Sequence, residues 1–290
     1  MIPVQFDYIA PERLADAVQL LKVRAGASAL AGGHNLLLDL KHRRVAPTLL
    51  VDLRKIPELR DIRRAEDGGL DIGAMMTYSE LLASEAVRKD YPALVEVLAS
   101  LGDAQVRNRA TIGGSLAYND PTADLPAVAL VLEAVIKTVG PNGERARPAE
   151  EFLIGALKTT LEPGEIVTAV HLLAPVAGAW SAYEKFKCPA TGAAICGVAA
   201  MVARGNGEGV CRVAVTGAAG HSARLHKVEA ALTGLKLTAE NIAAAAEQAG
   251  DEAIVFVSDF HASAEYRTHL TQVLAERALT RAAERAGYAL

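Results

Sequence analysis

The chain has 290 residues, enough for a substantial core and for two or three packed units. It is 51% hydrophobic, 22% charged and only 4% aromatic, with a mean hydropathy of +0.19, the composition of a soluble, alanine-rich globular protein. A net charge of -4 and a pI near 6.0 exclude the dense basic face that a nucleic-acid partner requires.

The amino-terminal stretch MIPVQFDYIAPE has no charged segment followed by an apolar one, so no signal peptide is expected and the location expected is cytoplasmic. Within it, Phe6 to Ile9 reads as a short strand. From Pro11, suited to the first turn of a helix, Leu14, Ala17, Val18 and Leu21 form one apolar stripe at helical period, which predicts a helix lying on a sheet. Ser28 to Leu30 and Thr48 to Leu53 read as the next strands, giving a β-α-β start, and Lys41-His42-Arg43-Arg44 between them reads as a solvated helix end. Leu70 to Ala74 predicts another strand. Thr77-Tyr78-Ser79-Glu80 has the Thr-x-x-Glu form that caps a helix start by reciprocal hydrogen bonds, and Tyr91-Pro92 opens a helix through Leu101. Gly140-Pro141-Asn142-Gly143 is a turn between two short strands, and from Glu165 to Leu172 the alternation puts Ile166, Thr168, Val170 and Leu172 on one face. The segment Ala174-Pro175-Val176-Ala177-Gly178 interrupts pattern and charge, and a domain boundary is placed there.

Beyond the boundary, Trp180 to Thr216 contains three strand-like runs, the last two joined by Gly205-Asn206-Gly207-Glu208-Gly209, a hairpin turn by composition. The longest nearly uncharged run, Gly192 to Ala203, falls short of the roughly 18 residues a membrane-spanning helix needs, so no transmembrane segment is expected. Three helices follow, one containing His226 to Leu232, one starting at Thr238 and one from about Ser263 to Ala286. Sheet first and helices after describes an α+β domain. The three cysteines, Cys188, Cys196 and Cys211, have no C-x-x-C spacing and read as reduced core thiols, which leaves no disulfide framework and no iron–sulfur or zinc site in the chain.

Two glycine loops carry the chemistry. Leu30-Ala31-Gly32-Gly33-His34-Asn35-Leu36 follows a strand and opens a helix, where a Gly-Gly pair can turn successive N–H groups to one point and lets a ligand approach the main chain. Ala110-Thr111-Ile112-Gly113-Gly114-Ser115 offers a second pair framed by hydroxyls, with Asn119, Asp120 and Asp124 beyond it. Two such cradles, facing each other across a cleft, imply a long ligand with a diphosphate at its middle. Neither fits G-x-G-x-x-G or G-x-x-x-x-G-K-[ST], which disfavours a Rossmann domain and a P-loop NTPase. Asp124 has two readings at this point, a partner for sugar hydroxyls or a helix N-cap ahead of Leu125-Pro126.

Ala31-Gly32-Gly33-His34-Asn35-Leu36, Ala110-Thr111-Ile112-Gly113-Gly114, Asp120-Pro121-x-x-Asp124 and Ala264-Glu265-Tyr266-Arg267, in this order, resemble the FAD-binding medium subunit of molybdenum hydroxylases, the family of xanthine dehydrogenase and carbon monoxide dehydrogenase flavoproteins. The resemblance covers essentially the whole chain. It implies an α+β protein: an FAD-binding fold of two α/β subdomains, residues 1–176 divided at about 57/58, followed by an α+β C-terminal domain, residues 177–290, with a small antiparallel sheet and helices. It implies non-covalent FAD, with Ala31 to Asn35 on one side of the diphosphate, Thr111 to Ser115 on the other and Asp124 holding the sugar portion, and with Leu30, Leu36, Ala110, Asn119 and Asp120 among the cofactor-binding residues. Ile166, Val167 and Lys185 match positions near the flavin in relatives; Lys185 reads equally as a solvated strand lysine.

The resemblance further implies a small subunit with two [2Fe-2S] clusters and a large molybdopterin subunit, assembled as (αβγ)2, with electrons passing from the clusters through FAD to an external acceptor. Molybdopterin and clusters would lie only on the partners. No catalytic residue and no metal site is nominated in this chain, because the cofactor carries the redox chemistry. Relatives commonly carry an aromatic residue where this chain has Ala193, so the cover of the flavin face is open to question. A Gly-Gly-His motif holds flavin covalently in another flavoprotein family; here His34 is expected instead to hydrogen-bond phosphate or backbone. Two other functions are weighed: a stand-alone flavin reductase resembling UDP-N-acetylenolpyruvylglucosamine reductases, for which no proton donor or nicotinamide site is found, and a non-redox assembly subunit.

Overall fold

The computed structural model describes residues 2–203 and 210–290; the hairpin turn expected at Gly205 to Gly209 lies outside the described residues. β1 (Asp7–Ile9), α1 (Leu14–Val23), β2 (Ala27–Leu30), α2 (Leu36–Lys41) and β3 (Leu49–Asp52) form a parallel three-stranded sheet in the order β1-β3-β2. Side chains alternate across β3, so Leu49 and Val51 pack with Ala17 of α1 while Leu50 packs with Leu30 and Leu40 on the α2 side. The basic group lies at the end of α2 and is exposed, as expected. The carboxyl ends of β2 and β3 open on one edge, where open parallel sheets place ligands.

The chain then enters β4 (Ile62–Arg64) and β5 (Leu70–Gly73), followed by α3 (Tyr78–Ala83), α4 (Glu85–Asp90), α5 (Pro92–Ser100), α6 (Ala104–Arg107), α7 (Ile112–Tyr118) and α8 (Leu125–Val131). Thr77 and Glu80 form the capping box read from sequence. Next come β6 (Val135–Gly140), β7 (Gly143–Pro148), α9 (Ala149–Phe152), β8 (Leu153–Gly155), β9 (Lys158–Thr159) and β10 (Ile166–Leu172). β4, β5, β10, β6 and β7 pair in that order as one antiparallel sheet, while β8 and β9 pair with each other.

The alternation expected along β10 is broken. Opposite β6 the register jumps between Val167 and Ala169, so Thr168 is an extra residue and the faces exchange there. Val167, Val170 and Leu172 enter the core of the second sheet, whereas Ile166 enters the core of the first with Leu49 and Met75. One bulge lets a single strand serve two cores.

β11 (Ala179–Lys187), β12 (Ala194–Ala203), β13 (Val210–Thr216) and β14 (Ala223–Arg224) form a four-stranded antiparallel sheet, followed by α10 (His226–Leu232), α11 (Ala239–Glu247) and α12 (Ala264–Arg285). All ten residues of β12 are buried. Cys196, Val198, Ala200 and Val202 face the α10 to α12 side, and Ala199 and Met201 face the helices that follow β5, so the uncharged run is a strand covered on both faces.

Candidate functional site

The first glycine loop leaves β2 beside the end of β3. The N–H groups of Gly32, Gly33, His34, Asn35 and Leu36 have no acceptor among the described residues; the first N–H to find one is that of Leu37, on the Gly33 carbonyl at 3.0 Å. Gly33 has φ +79°, a left-handed conformation that turns the chain between strand and helix. Five consecutive backbone donors are thus free, two of them on glycines where no side chain stands over the main chain. His34 is exposed, and its ring bonds to no described residue.

The second loop differs. Ile112 N–H donates to the Met76 carbonyl at 3.1 Å, Gly113 N–H to Ala74 at 2.9 Å, Gly114 N–H to Thr111 Oγ1 at 3.2 Å and Ser115 N–H to the Thr111 carbonyl at 3.0 Å. Its amides are therefore used, those of Ile112 and Gly113 in docking α7 onto the chain after β5 and those of Gly114 and Ser115 in capping α7 on buried Thr111, so the loop offers no second row of free donors. Tyr78, which follows the Thr77 cap, is buried, and burial pushes its hydroxyl up to about 12.

The loops touch rather than facing each other across a cleft, which corrects the expected geometry. A methyl group on Gly32 would overlap the Arg109 carbonyl, with its carbon only 2.9 Å away, and one on Gly114 would stand 3.2 Å from Ala31 Cβ. One on Gly113 would come within 2.8 Å of Ala74 Cα. These glycines are required first by backbone packed on backbone. The contact is reinforced by Tyr118 of α7, whose hydroxyl donates to buried Asp39 of α2 at 2.6 Å.

Asn119 ends α7 in the left-handed conformation, fully buried, and its Nδ2 donates to the carbonyls of Gly155 at 2.8 Å and Lys158 at 3.0 Å. Its Oδ1 is buried without a partner. Asp120 folds back onto the N–H and hydroxyl of Thr122. Asp124 is 1% exposed and stands at the N-cap position of α8, but its side chain does not cap the helix. It accepts instead from the Tyr183 hydroxyl and from Lys185 Nζ at 2.9 Å.

Lys185 is correspondingly buried rather than solvated, with 6% of its side chain exposed, and also donates to the Gly192 carbonyl at 2.9 Å. Burial pushes the Asp124 carboxyl up, while Lys185 and Tyr183 pull it down. Tyr183 needs room for its hydroxyl, and Gly197 on the paired strand supplies it.

The structure thus brings together Leu30 to Leu36 with Ala110 to Ser115, and Asp124 with Lys185. Ile166 and Val167 lie apart from that pattern, with their side chains in the two cores. Ala193, half-buried, lies in the turn between β11 and β12, its carbonyl accepting from Cys188 N–H at 2.8 Å. The Ala264-Glu265-Tyr266-Arg267 motif opens α12: Ser263 caps it, and buried Arg267 donates to the carbonyls of Ile195 and Gly217 and pairs with Asp259. Those strand ends sit on the segment before Asp124 through Gly217 N–H to the Pro121 carbonyl at 2.9 Å and Thr216 Oγ1 to Ala123 at 2.7 Å.

Sequence reasoning missed Tyr183, Tyr118 and Asp39, whose partners lie far along the chain. Among the described residues no His, Cys, Asp and Glu group could hold a metal ion, and no helix is long and apolar enough to cross a membrane.

Free backbone donors after the first strand–helix turn, a second glycine loop packed on them and a lysine of the C-terminal sheet buried against Asp124 meet in a chain whose family matches define an FAD-binding oxidoreductase subunit. Residues 4–174 match the family described as the FAD binding domain in molybdopterin dehydrogenase, and residues 181–282 match the CO dehydrogenase flavoprotein C-terminal domain. The chain belongs to this family, the FAD-binding medium subunits of molybdenum hydroxylases. It is 37% identical over 287 residues to the carbon monoxide dehydrogenase medium chain of Hydrogenophaga pseudoflava, covering 97% of this chain and 98% of that one. A solved structure of carbon monoxide dehydrogenase from Hydrogenophaga pseudoflava, lacking the Mo-pyranopterin moiety of its molybdenum cofactor, superposes with a TM-score of 0.94 at 38% identity, covering 98% of this chain and 99% of that one. Quinoline 2-oxidoreductase from Pseudomonas putida 86 superposes with a TM-score of 0.92 at 32% identity, covering 99% and 100%. The relatives are parts of multi-subunit oxidoreductases, and so is this chain.

Proposed function

We propose that the residues around the first glycine loop hold the diphosphate of non-covalent FAD, and that the chain relays electrons within a molybdenum hydroxylase. In this reading Leu30, Ala31, Gly32, Gly33, His34, Asn35 and Leu36 form the diphosphate floor. Ala110, Thr111, Ile112, Gly113, Gly114 and Ser115 buttress it. Asn119, Asp120 and Asp124 line the way toward Lys185, and Ile166 and Val167 contribute through main chain at the domain junction. The FAD-binding unit is residues 1–176, with subdomains of about 1–57 and 58–176, and residues 177–290 are the C-terminal domain.

The observation that carries the reading is the run of free N–H groups from Gly32 to Leu36. Bound FAD would supply both one-electron and two-electron redox chemistry. The protein orients it: backbone donors fix the charged middle, and Asp124 and Lys185 present a buried charge pair. The partners in this reading are a small subunit with two [2Fe-2S] clusters and a large molybdopterin subunit, as (αβγ)2 in the cytoplasm.

The test is co-purification of the complex, native mass measurement and acid precipitation. FAD released into the supernatant, with cluster and molybdopterin subunits in equal amounts, is the expected result. A colourless protein, or colour that stays with the pellet, would overturn it.

A further inference from the structure

The floor of backbone donors carries only partial charges, and the formal charges around it are mostly cancelled. Asp39, under α2, accepts from Tyr118 and pairs with Arg44. Asp52, at the end of β3 and fully buried, accepts from Tyr8 at 2.7 Å and pairs with Arg54 at 2.6 Å. Arg109 is different. Its side chain is exposed and makes no hydrogen bond or ion pair with any described residue, yet its carbonyl is packed against Gly32. The Arg109 main chain therefore abuts the loop that leaves β2, and its guanidinium, on a long flexible stem, is held by no described residue.

We propose that Arg109 is a cationic clasp for the diphosphate, its guanidinium pairing with phosphate oxygens over the Gly32 to Leu36 floor. Arginine suits this because its planar fork can donate two parallel bonds to one phosphate, and a charge-assisted bond is about twice as strong as a neutral one. The inference rests on the reading of that floor as a dinucleotide site, and it extends that reading by predicting selectivity for ligands that carry a diphosphate, ADP included.

The test uses the full chain stripped of cofactor. FAD and ADP binding are measured by titration across a range of salt for the unaltered protein, Arg109→Gln and Arg109→Lys, with thermal unfolding as the control for folding. Because the side chain has no described partner, folding should be unchanged. Arg109→Gln should weaken both ligands by roughly tenfold or more and flatten the salt dependence, while Arg109→Lys should recover part of the loss. Equal affinity and equal salt dependence in Arg109→Gln would overturn the clasp while leaving the site intact. If the unaltered protein bound neither FAD nor ADP, the dinucleotide reading itself would fall.

Discussion

Lys185 Nζ lies 2.9 Å from Asp124 Oδ2 across the junction between the second sheet's helices and the C-terminal sheet, with 6% and 1% of the two side chains exposed. A pair this dry is a poor source of net stability but costly to break, since removing one partner leaves an uncompensated charge. Lys185→Met is expected to lose about 3–5 kcal/mol near neutral pH, and Tyr183→Phe about 2 kcal/mol.

The pH dependence of Lys185→Met has a definite sign. Burial already pushes the Asp124 carboxyl up, and the ammonium is one of the groups pulling it down, so its loss raises the folded-state value further. A carboxyl whose folded pKa exceeds its unfolded one loses stability as pH rises between the two. The defect should therefore shrink in acid. Urea unfolding at about pH 5 and about pH 8 checks this, and an equal defect at both would contradict the assignment.

Alanine at Gly32 and at Gly113 should act through the fold as well as through the ligand. Each methyl group meets backbone, the Arg109 carbonyl in one case and Ala74 in the other, so the main chain must move. Overpacking of this kind costs about 1–3 kcal/mol, and either variant should also lose flavin because the two loops share one contact surface. Unaltered thermal stability in a variant that lost flavin would place the clash with the ligand instead.

The glycines show how far sequence carries. A Gly-Gly pair announces a close backbone approach, but whether the approaching group is ligand or protein depends on residues 77 positions away, and no local pattern encodes that. The capping box at Thr77 and Glu80 was legible because both partners lie within one turn. Tyr118 with Asp39, and Tyr183 with Asp124, were not, because the partners lie 79 and 59 residues apart in sequence. Asp124 illustrates the ambiguity: its position does precede a helix, as an N-cap would, yet its carboxylate turns away toward Lys185. At Thr168 the periodicity was present but the bulge reset it, and only pairing with β6 reveals the slip.

Ala193 lies in the turn between β11 and β12, and a Cβ on its neighbour Gly192 would meet nothing within 4 Å. On the proposed placement of FAD, Ala193→Tyr should slow oxidation of the reduced flavin by small acceptors several-fold, with little effect on flavin content. Stopped-flow oxidation by a soluble quinone measures it. An unchanged rate would mean that this turn does not guard access.

Glu165 precedes the strand that joins the first two cores, and its carboxylate is held from three directions: Arg145 Nε at 2.7 Å, the Thr138 hydroxyl, and the N–H of Glu162 at 2.8 Å. Burial alone would raise its acid, but the Arg145 and Thr138 hydrogen bonds outweigh that and hold it below the ordinary carboxylate range. With the folded value below the unfolded one, its stabilisation is complete above the unfolded pKa of about 4.3 and is lost as pH falls through the folded value. Glu165→Gln should therefore cost about 3 kcal/mol near neutral pH, and the gap from the unaltered chain should close in strong acid. Because Ile166 is the β10 residue that enters the first core, loosening Glu165 should also raise hydrogen exchange at Ile166 and Val167 before it affects β12. Uniform exchange across all three sheets would show instead that the pair stabilises the molecule as a whole and does not pin this junction.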